Sequence, residues 1–313
     1  MELPVHAISN QKSFFFKLSH QGQMVLMSVP IILYVILFVY VPLWGWTIAF
    51  QNYKPIKSFF DQEWVGLYWF KFLFEDKVFL RAIRNTIAMS VINTSLGFIT
   101  AIGFALLLNE VRKILFKRFI QTISYLPHFL SWVIVTGLVS NMLTTDGGAV
   151  NSAFVALGII KEPVLWLAEP KYFWGVVGIT YVWKEVGWNT IIYLAAMSGI
   201  DPSLYEAAEI DGCNRYQKMW RITLPCIKPT IIILLIMSIG HILEAGFELQ
   251  YLLRKPLVMD VSDTIDVYVY VFGLSHLNYS LATAAGMFKN FVNITLIFIA
   301  NAIAKKAGEE RLI

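Results

Sequence analysis

Long apolar stretches alternate with short polar ones along the chain. Residues 24–50 run for 27 positions without an Asp, Glu, Lys or Arg, 85–109 for 25 and 119–145 for 27. Each exceeds the roughly 20 apolar residues that a helix needs to cross a bilayer's hydrocarbon core. Three weaker runs, 172–200, 229–253 and 279–304, are interrupted by ionisable residues. The pattern predicts an all-α integral membrane protein with six transmembrane helices. The first run is longer than the apolar core of a secretory signal and has no small-residue cleavage site, so it is expected to remain as a span. The expected organisation is a tail over 1–23, a first span over 24–50, an extracytoplasmic segment over 51–84, a five-span core over 85–304 and a second tail over 305–313.

Composition narrows the class further. The 313 residues are 57% hydrophobic and only 15% charged, with a mean hydropathy of +0.62, too apolar for a soluble domain of this length. The 23 Phe, 14 Tyr and 10 Trp include several at the ends of apolar runs, where bilayer interfaces favour amphipathic rings. A net charge of +4, with its basic residues spread over loops, argues against a nucleic acid partner. Cys213 and Cys226 lack metal-ligand spacing, and no metal site is expected. The chain carries no G-x-x-x-x-G-K-[ST], no H-E-x-x-H and no G-x-S-x-G. No catalytic residue and no bound cofactor are therefore expected on it, and any nucleotide must bind another polypeptide.

Short loops rich in Lys and Arg stay on the cytoplasmic side and so orient the spans. Arg112, Lys113, Lys117 and Arg118 lie between the second and third runs, and Arg215, Lys218, Arg221 and Lys228 between the fourth and fifth; Lys305, Lys306 and Arg311 follow the sixth. These stretches share a side, which predicts that both termini are cytoplasmic. Segment 51–84 disagrees, with six basic residues. Four carboxylates share it, however, and Arg81 and Arg84 fall at the expected interfacial start of the second span.

The stretch over 201–229 reads DPSLYEAAEIDGCNRYQKMWRITLPCIKP. Asp201 can cap a helix that opens with Pro202, where a missing N–H costs nothing. Gly212 is a natural left-handed stop, and Asn214 can cap a second helix over 215–221. Pro225 and Pro229 are expected to end this segment before the fifth span. Small Ala207 and Ala208 beside Glu206 suit insertion into a partner's groove.

Glu206-Ala207-Ala208, then Asp211-Gly212, then Ile222, Leu224 and Pro225 resemble the EAA loop of binding-protein-dependent importer permeases. WGWTIAFQNYKP at 44–55, ISYLPHFLSWV at 123–133, DGGAVN at 146–151 and WKEVGWNTIIYLAAMSGIDP at 183–202 look like oligosaccharide permeases of the carbohydrate-uptake subfamily, in the branch that includes lipopolygalacturonan-type and alginate importers. The resemblance implies type I ABC importer permease architecture, multi-pass in a bacterial cytoplasmic (inner) membrane. It implies a coupling loop over 201–225, in which Glu206, Ala207, Ala208, Asp211 and Gly212 seat in a cleft of the ATPase. It also implies the partners: a second permease subunit, two cytoplasmic ATPase subunits carrying ATP and Mg, and a periplasmic or extracytoplasmic solute-binding protein that delivers an oligosaccharide.

Polar residues at membrane depth need a bundle interior, a partner or a wet cavity. The fourth run carries Lys184, Glu185, Trp188 and Asn189, the sixth Lys289, Asn290 and Asn293. The fifth carries His241, Glu244 and Glu248, whose spacing of three and four predicts one helical face. Trp188, Asn189, Glu248, Asn290 and Asn293 are the candidates for a sugar path, where indole faces and amides would replace water. Lys184, Glu185 and Lys289 read as structural pairs. A second reading is a proton-coupled carrier with His241, Glu244 and Glu248 as its relay; the EAA-like loop disfavours it, since a carrier has no ATPase to dock.

Overall fold

The structure, a computed structural model, describes residues 20–306. Most of both expected tails, 1–23 and 305–313, lies outside the described residues. The chain divides into two units at Ile48 and Ala49. In the first, helix α1 (His20–Val35) passes through a π-helical turn (Ile36–Tyr40) into a 3-10 stretch (Val41–Phe50), forming one apolar helical rod over Gln21–Phe50. Only a helix or a closed barrel satisfies every backbone group without water, which is why such a run becomes helix.

The second unit opens with a two-residue ladder of β1 (Gln51–Asn52) and antiparallel β2 (Glu63–Trp64). Gln62 fixes the loop between them: its Oε1 accepts from Lys54 N, and its Nε2 donates to the carbonyls of Lys54, Lys57 and Ser58. Helices α2 (Tyr68–Glu75) and α3 (Lys77–Asn109) follow, the latter capped by Asp76, which accepts from Val78 N at 2.9 Å. With 33 residues, α3 is about 50 Å long. Next come α4 (Ile114–Tyr125), α5 (Trp132–Leu143), α6 (Ala149–Ala156) and α7 (Pro170–Ser198), then the short α8 (Pro202–Ile210) and α9 (Arg215–Lys218). The chain ends through α10 (Leu224–Gly240), α11 (Phe247–Leu253), α12 (Met259–Ser262), α13 (Ile265–Tyr270) and α14 (Tyr279–Lys306).

Helix α3 is the common wall of three apolar cores. Phe79 and Ala82 pack with Tyr268 and Leu281 toward α13 and α14. Met89 packs with Phe173, Val177 and Leu249 toward α7 and α11. Ala101 and Ala105 pack with Tyr193, Met197 and Ile227 toward α7 and α10. Helix α7 meets α4 equally closely: a Cβ on Gly187 would stand 2.1 Å from the Ser124 carbonyl oxygen, so only glycine lets these two backbones approach.

The expected all-α membrane architecture is present, and the spans differ in detail. Among the described residues four helices are long and apolar enough to cross a bilayer: Gln21–Phe50, Lys77–Asn109, Arg215–Gly240 and Tyr279–Lys306. The third expected span, 119–145, is bent by 101° between Ile114–Phe129 and Trp132–Leu143, where Pro127 removes a backbone donor and Ser131 recaps the chain. The fourth, over 172–200, is a 29-residue helix, α7, long enough to span but diluted by Lys184 and Glu185.

The fifth departs at both ends. Pro225 and Pro229 do not stop it, because a π-helical turn at Met219–Thr223 joins α9 directly to α10. Pro225 lies in the first turn of α10, where its missing N–H is tolerated, and the wider turn before it makes room for its ring. At the far end the helix stops at Gly240, and Gly246 at φ +85° redirects the chain into α11. His241 and Glu244 thus lie in a non-helical break and Glu248 on a separate helix. The single helical face expected for these three does not exist.

Candidate coupling loop and translocation path

Local hydrogen bonds shape the loop between α7 and α10. Asp201 accepts from Ser203 N at 2.9 Å and caps α8, with Pro202 at its first position; that backbone bond holds the Asp201 carboxyl below the usual carboxylate range. Gly212, at φ +74°, closes α8, with Cys213 N donating to the Ala208 carbonyl at 2.9 Å, a conformation that a side chain would resist. Asn214 and Gln217 form a reciprocal capping box: Asn214 N donates to Gln217 Oε1 at 2.7 Å, and Gln217 N to Asn214 Oδ1 at 2.9 Å. Lys218 donates to Glu209 across the turn. This contact, aided by Arg112 just beyond α3, holds the Glu209 carboxyl low. The Tyr205 and Thr223 hydroxyls share a hydrogen bond of 2.9 Å.

The loop turns outward only part of the set expected from its sequence. Glu206, Ala207, Asp211 and Gly212 are exposed, while Ala208 turns inward. Ile210 is 88% exposed, Tyr216 75% and Trp220 67%, an apolar rim that favours a protein partner over water.

Among the described residues, two cavities of the helical bundle differ in their linings. One of about 580 Å³ between α5, α6 and α7 is lined almost wholly by apolar side chains such as Leu138, Met142, Val176 and Ile179. The other, about 320 Å³, lies between α3, α7 and α10 and receives Asn93, Thr94, Tyr181, Asn189, Ser238 and His241. Asn93 is only 7% exposed, and its Oδ1 has no hydrogen-bond partner. A buried acceptor left unpaired costs about 1–3 kcal/mol. Tyr193 and Phe98 supply aromatic walls.

The charges of α7 pair with groups on the α4–α5 bend. Lys184, 4% exposed, donates to the His128 carbonyl at 2.6 Å, pairs with Glu185 at 3.2 Å and stands 4.9 Å from the Trp132 ring centre. Glu185 meets His128 Nδ1 at 2.7 Å. Lys289 pairs with Asp266 at 2.5 Å.

The five residues singled out for a sugar path are dispersed. Asn189 lines the polar cavity. Trp188, 43% exposed, stacks parallel to the His128 ring at 4.4 Å and lines neither cavity. Asn293 is buried, and its Oδ1 accepts from Leu243 N at 3.3 Å, holding the break after α10. Glu248 is exposed in the first turn of α11, and Asn290 is half-buried on α14; neither lines either cavity. Asn93, Thr94, Tyr181 and Ser238 were not among the sequence candidates. Their signal was an uncharged polar residue inside an apolar run, less conspicuous than an ionisable one.

Comparison with known proteins gives a consistent picture. Residues 93–308 match the model of a family described as binding-protein-dependent transport system inner membrane component. The polygalacturonan/rhamnogalacturonan transport system permease protein YteP of Bacillus subtilis (strain 168) is 45% identical over 300 residues, covering 96% of this chain and 93% of the relative. Protein LplB of the same organism is 42% identical over 311 residues, covering 99% and 97%. A chain of the bacterial alginate ABC transporter, solved in complex with an alginate pentasaccharide-bound periplasmic protein, superposes with a TM-score of 0.85 at 38% identity, covering 92% of this chain and 96% of that one.

Proposed function

The chain belongs to the family of binding-protein-dependent transport system inner membrane components, and from that premise we propose that it is the permease subunit of an ATP-driven importer for uronate-containing oligosaccharides. It is not an enzyme. It forms the path together with a second permease subunit, receives sugar from a solute-binding protein and is driven by two ATPase subunits that hold ATP and Mg. The acidic sugar class follows the relatives, whose names specify polygalacturonan, rhamnogalacturonan and alginate. Six spans with both termini in the cytoplasm fit the Lys and Arg distribution and put the exposed knob of α8 on the ATPase side.

The observation that carries the reading is that knob: Glu206, Ala207, Asp211 and Gly212 exposed on a locally capped helix pair. Glu206 makes a charge-assisted contact with the ATPase. The polar cavity between α3, α7 and α10 is the stretch of path contributed by this subunit, with amides and hydroxyls replacing water on the sugar. Trp188, stacked on His128 by one face and 43% exposed, offers its other indole face to sugar. A proton relay through His241, Glu244 and Glu248 finds no support: the first two lie in the break after α10 and Glu248 on α11, so the three share no helical face.

The test is uptake into proteoliposomes holding the whole complex, supplied with ATP or with a proton gradient, and with binding protein loaded with uronate or neutral oligosaccharides. ATP-dependent uptake of the uronate sugars is expected, and Glu206→Lys should abolish their stimulation of ATPase activity by turning an attraction into a repulsion. Uptake driven by the proton gradient alone, or an unaffected Glu206→Lys variant, would overturn the assignment.

A further inference from the structure

Helix α8 is attached to the spans at both ends: to α7 through residues 199–201, and to α10 through α9 and the π-helical turn at Met219–Thr223. One side-chain bond bypasses the second, longer route. Tyr205, in the middle of α8, shares its hydroxyl hydrogen bond with Thr223, the last residue of the π-turn. Thr223 is buried and Tyr205 half-buried, so this link is sheltered. The Glu209–Lys218 pair that also ties α8 to α9 has its carboxylate in solvent, where such pairs contribute little.

We propose that Tyr205 and Thr223 are positioning residues that carry the displacement of α8 to α10, with the π-turn as the joint. The inference rests on the importer reading above. A π-turn holds one residue more than an α-turn and recurs at functional sites, and small helix shifts are one of the movements from which switching transitions are built. This one is softened further by Pro225, which donates no backbone bond back into the turn. Beyond it α10 runs on as one helix to Gly240, with Pro229 inside it, and brings Ser238 to the polar cavity, about 22 Å along the axis from Thr223 at 1.5 Å per residue. A pull on Thr223 by α8 therefore reaches the cavity without any contact between the ATPase and the sugar. Loss of the bond is expected to leave the fold intact: without the Tyr205 hydroxyl, Thr223 can turn its own hydroxyl back to a carbonyl one turn earlier, as helical threonines do.

The experiment measures sugar taken up and ATP hydrolysed together, in proteoliposomes holding the full complex, with a polygalacturonan digest as substrate. Tyr205→Phe and Thr223→Val are each expected to lower the sugar imported per ATP about two- to tenfold, the range one lost hydrogen bond supports, with ATPase stimulation and melting temperature nearly unchanged. Thr223→Ser keeps the hydroxyl and should keep the wild-type ratio, and the double variant should be no worse than either single one. An unchanged ratio in Tyr205→Phe, or a Thr223→Ser variant as impaired as Thr223→Val, overturns the link alone. Tyr205→Phe decides the matter if Thr223→Val fails to assemble. A wild-type complex without ATP-dependent uptake would overturn the importer reading, and the link with it.

Discussion

The coupling loop and the polar cavity are both small polar regions in an apolar chain, but they are held in opposite ways. In the loop, Asp201 holds Ser203, Asn214 and Gln217 hold each other, and Glu209 holds Lys218. All of these partners are near neighbours in the chain. The cavity draws Asn93, Asn189 and Ser238 from three helices far apart in sequence, and leaves the buried Asn93 Oδ1 without a partner. The contrast fits the two tasks proposed for them. A docking knob must keep its shape while the bundle moves, so its bonds are internal to it. A passage must change its contacts as sugar enters and leaves, so its polar groups are not all spent on one another.

The comparison can be broken most severely at the charges that α7 sets against the α4–α5 bend. Lys184→Met should destabilise the complex by roughly 3–5 kcal/mol, because it strands Glu185 and removes the bond that holds the His128 carbonyl at the bend. A thermal or denaturant melt of the purified complex reads this, and a melt close to wild type would show that His128 alone compensates Glu185. Gly212→Val should have the next largest effect. A β-branched residue at φ +74° costs about 1–2 kcal/mol, confined to the loop. Uptake and ATPase docking should fall while the melting of the bundle stays near wild type; full uptake would mean that the loop can close without a left-handed residue.

The smallest effect sharpens the contrast from the other side. Asn189→Ala removes a cavity amide without stranding a charge, so uptake should fall by up to about tenfold, the equivalent of one hydrogen bond to sugar, with melting unaffected. Asn290→Ala, on the same measurement, should transport normally, since Asn290 lines neither cavity. The reverse ranking would move the path toward α14.

The apolar runs alone were enough to read an all-α membrane protein, because a lipid-exposed backbone has helix as its only single-chain solution. The loop was legible down to its caps: Asp201, Gly212 and Asn214 do what their side chains and backbones favour within a turn or two. The failures were those of distance and context. The spacing of His241, Glu244 and Glu248 promised one face only if the helix continued, and Gly246 with its positive φ ended that. Pro225 and Pro229 promised a stop, but a π-turn makes room for Pro225, and α10 continues through Pro229. His128 was not recognised as a partner of Glu185, nor Asp266 of Lys289, because each pair spans a fold contact that no local rule supplies.

The sequence by itself determined that the chain is a bundle of membrane helices and that residues 201–225 form a self-capped knob. Both rest on interactions between near neighbours, or on the solvent around a single segment. Only the tertiary structure decided which polar residues share a cavity and which are spent as structural pairs. That choice depends on which helix faces meet across α3, α7 and α10, and the packing of the whole bundle sets it.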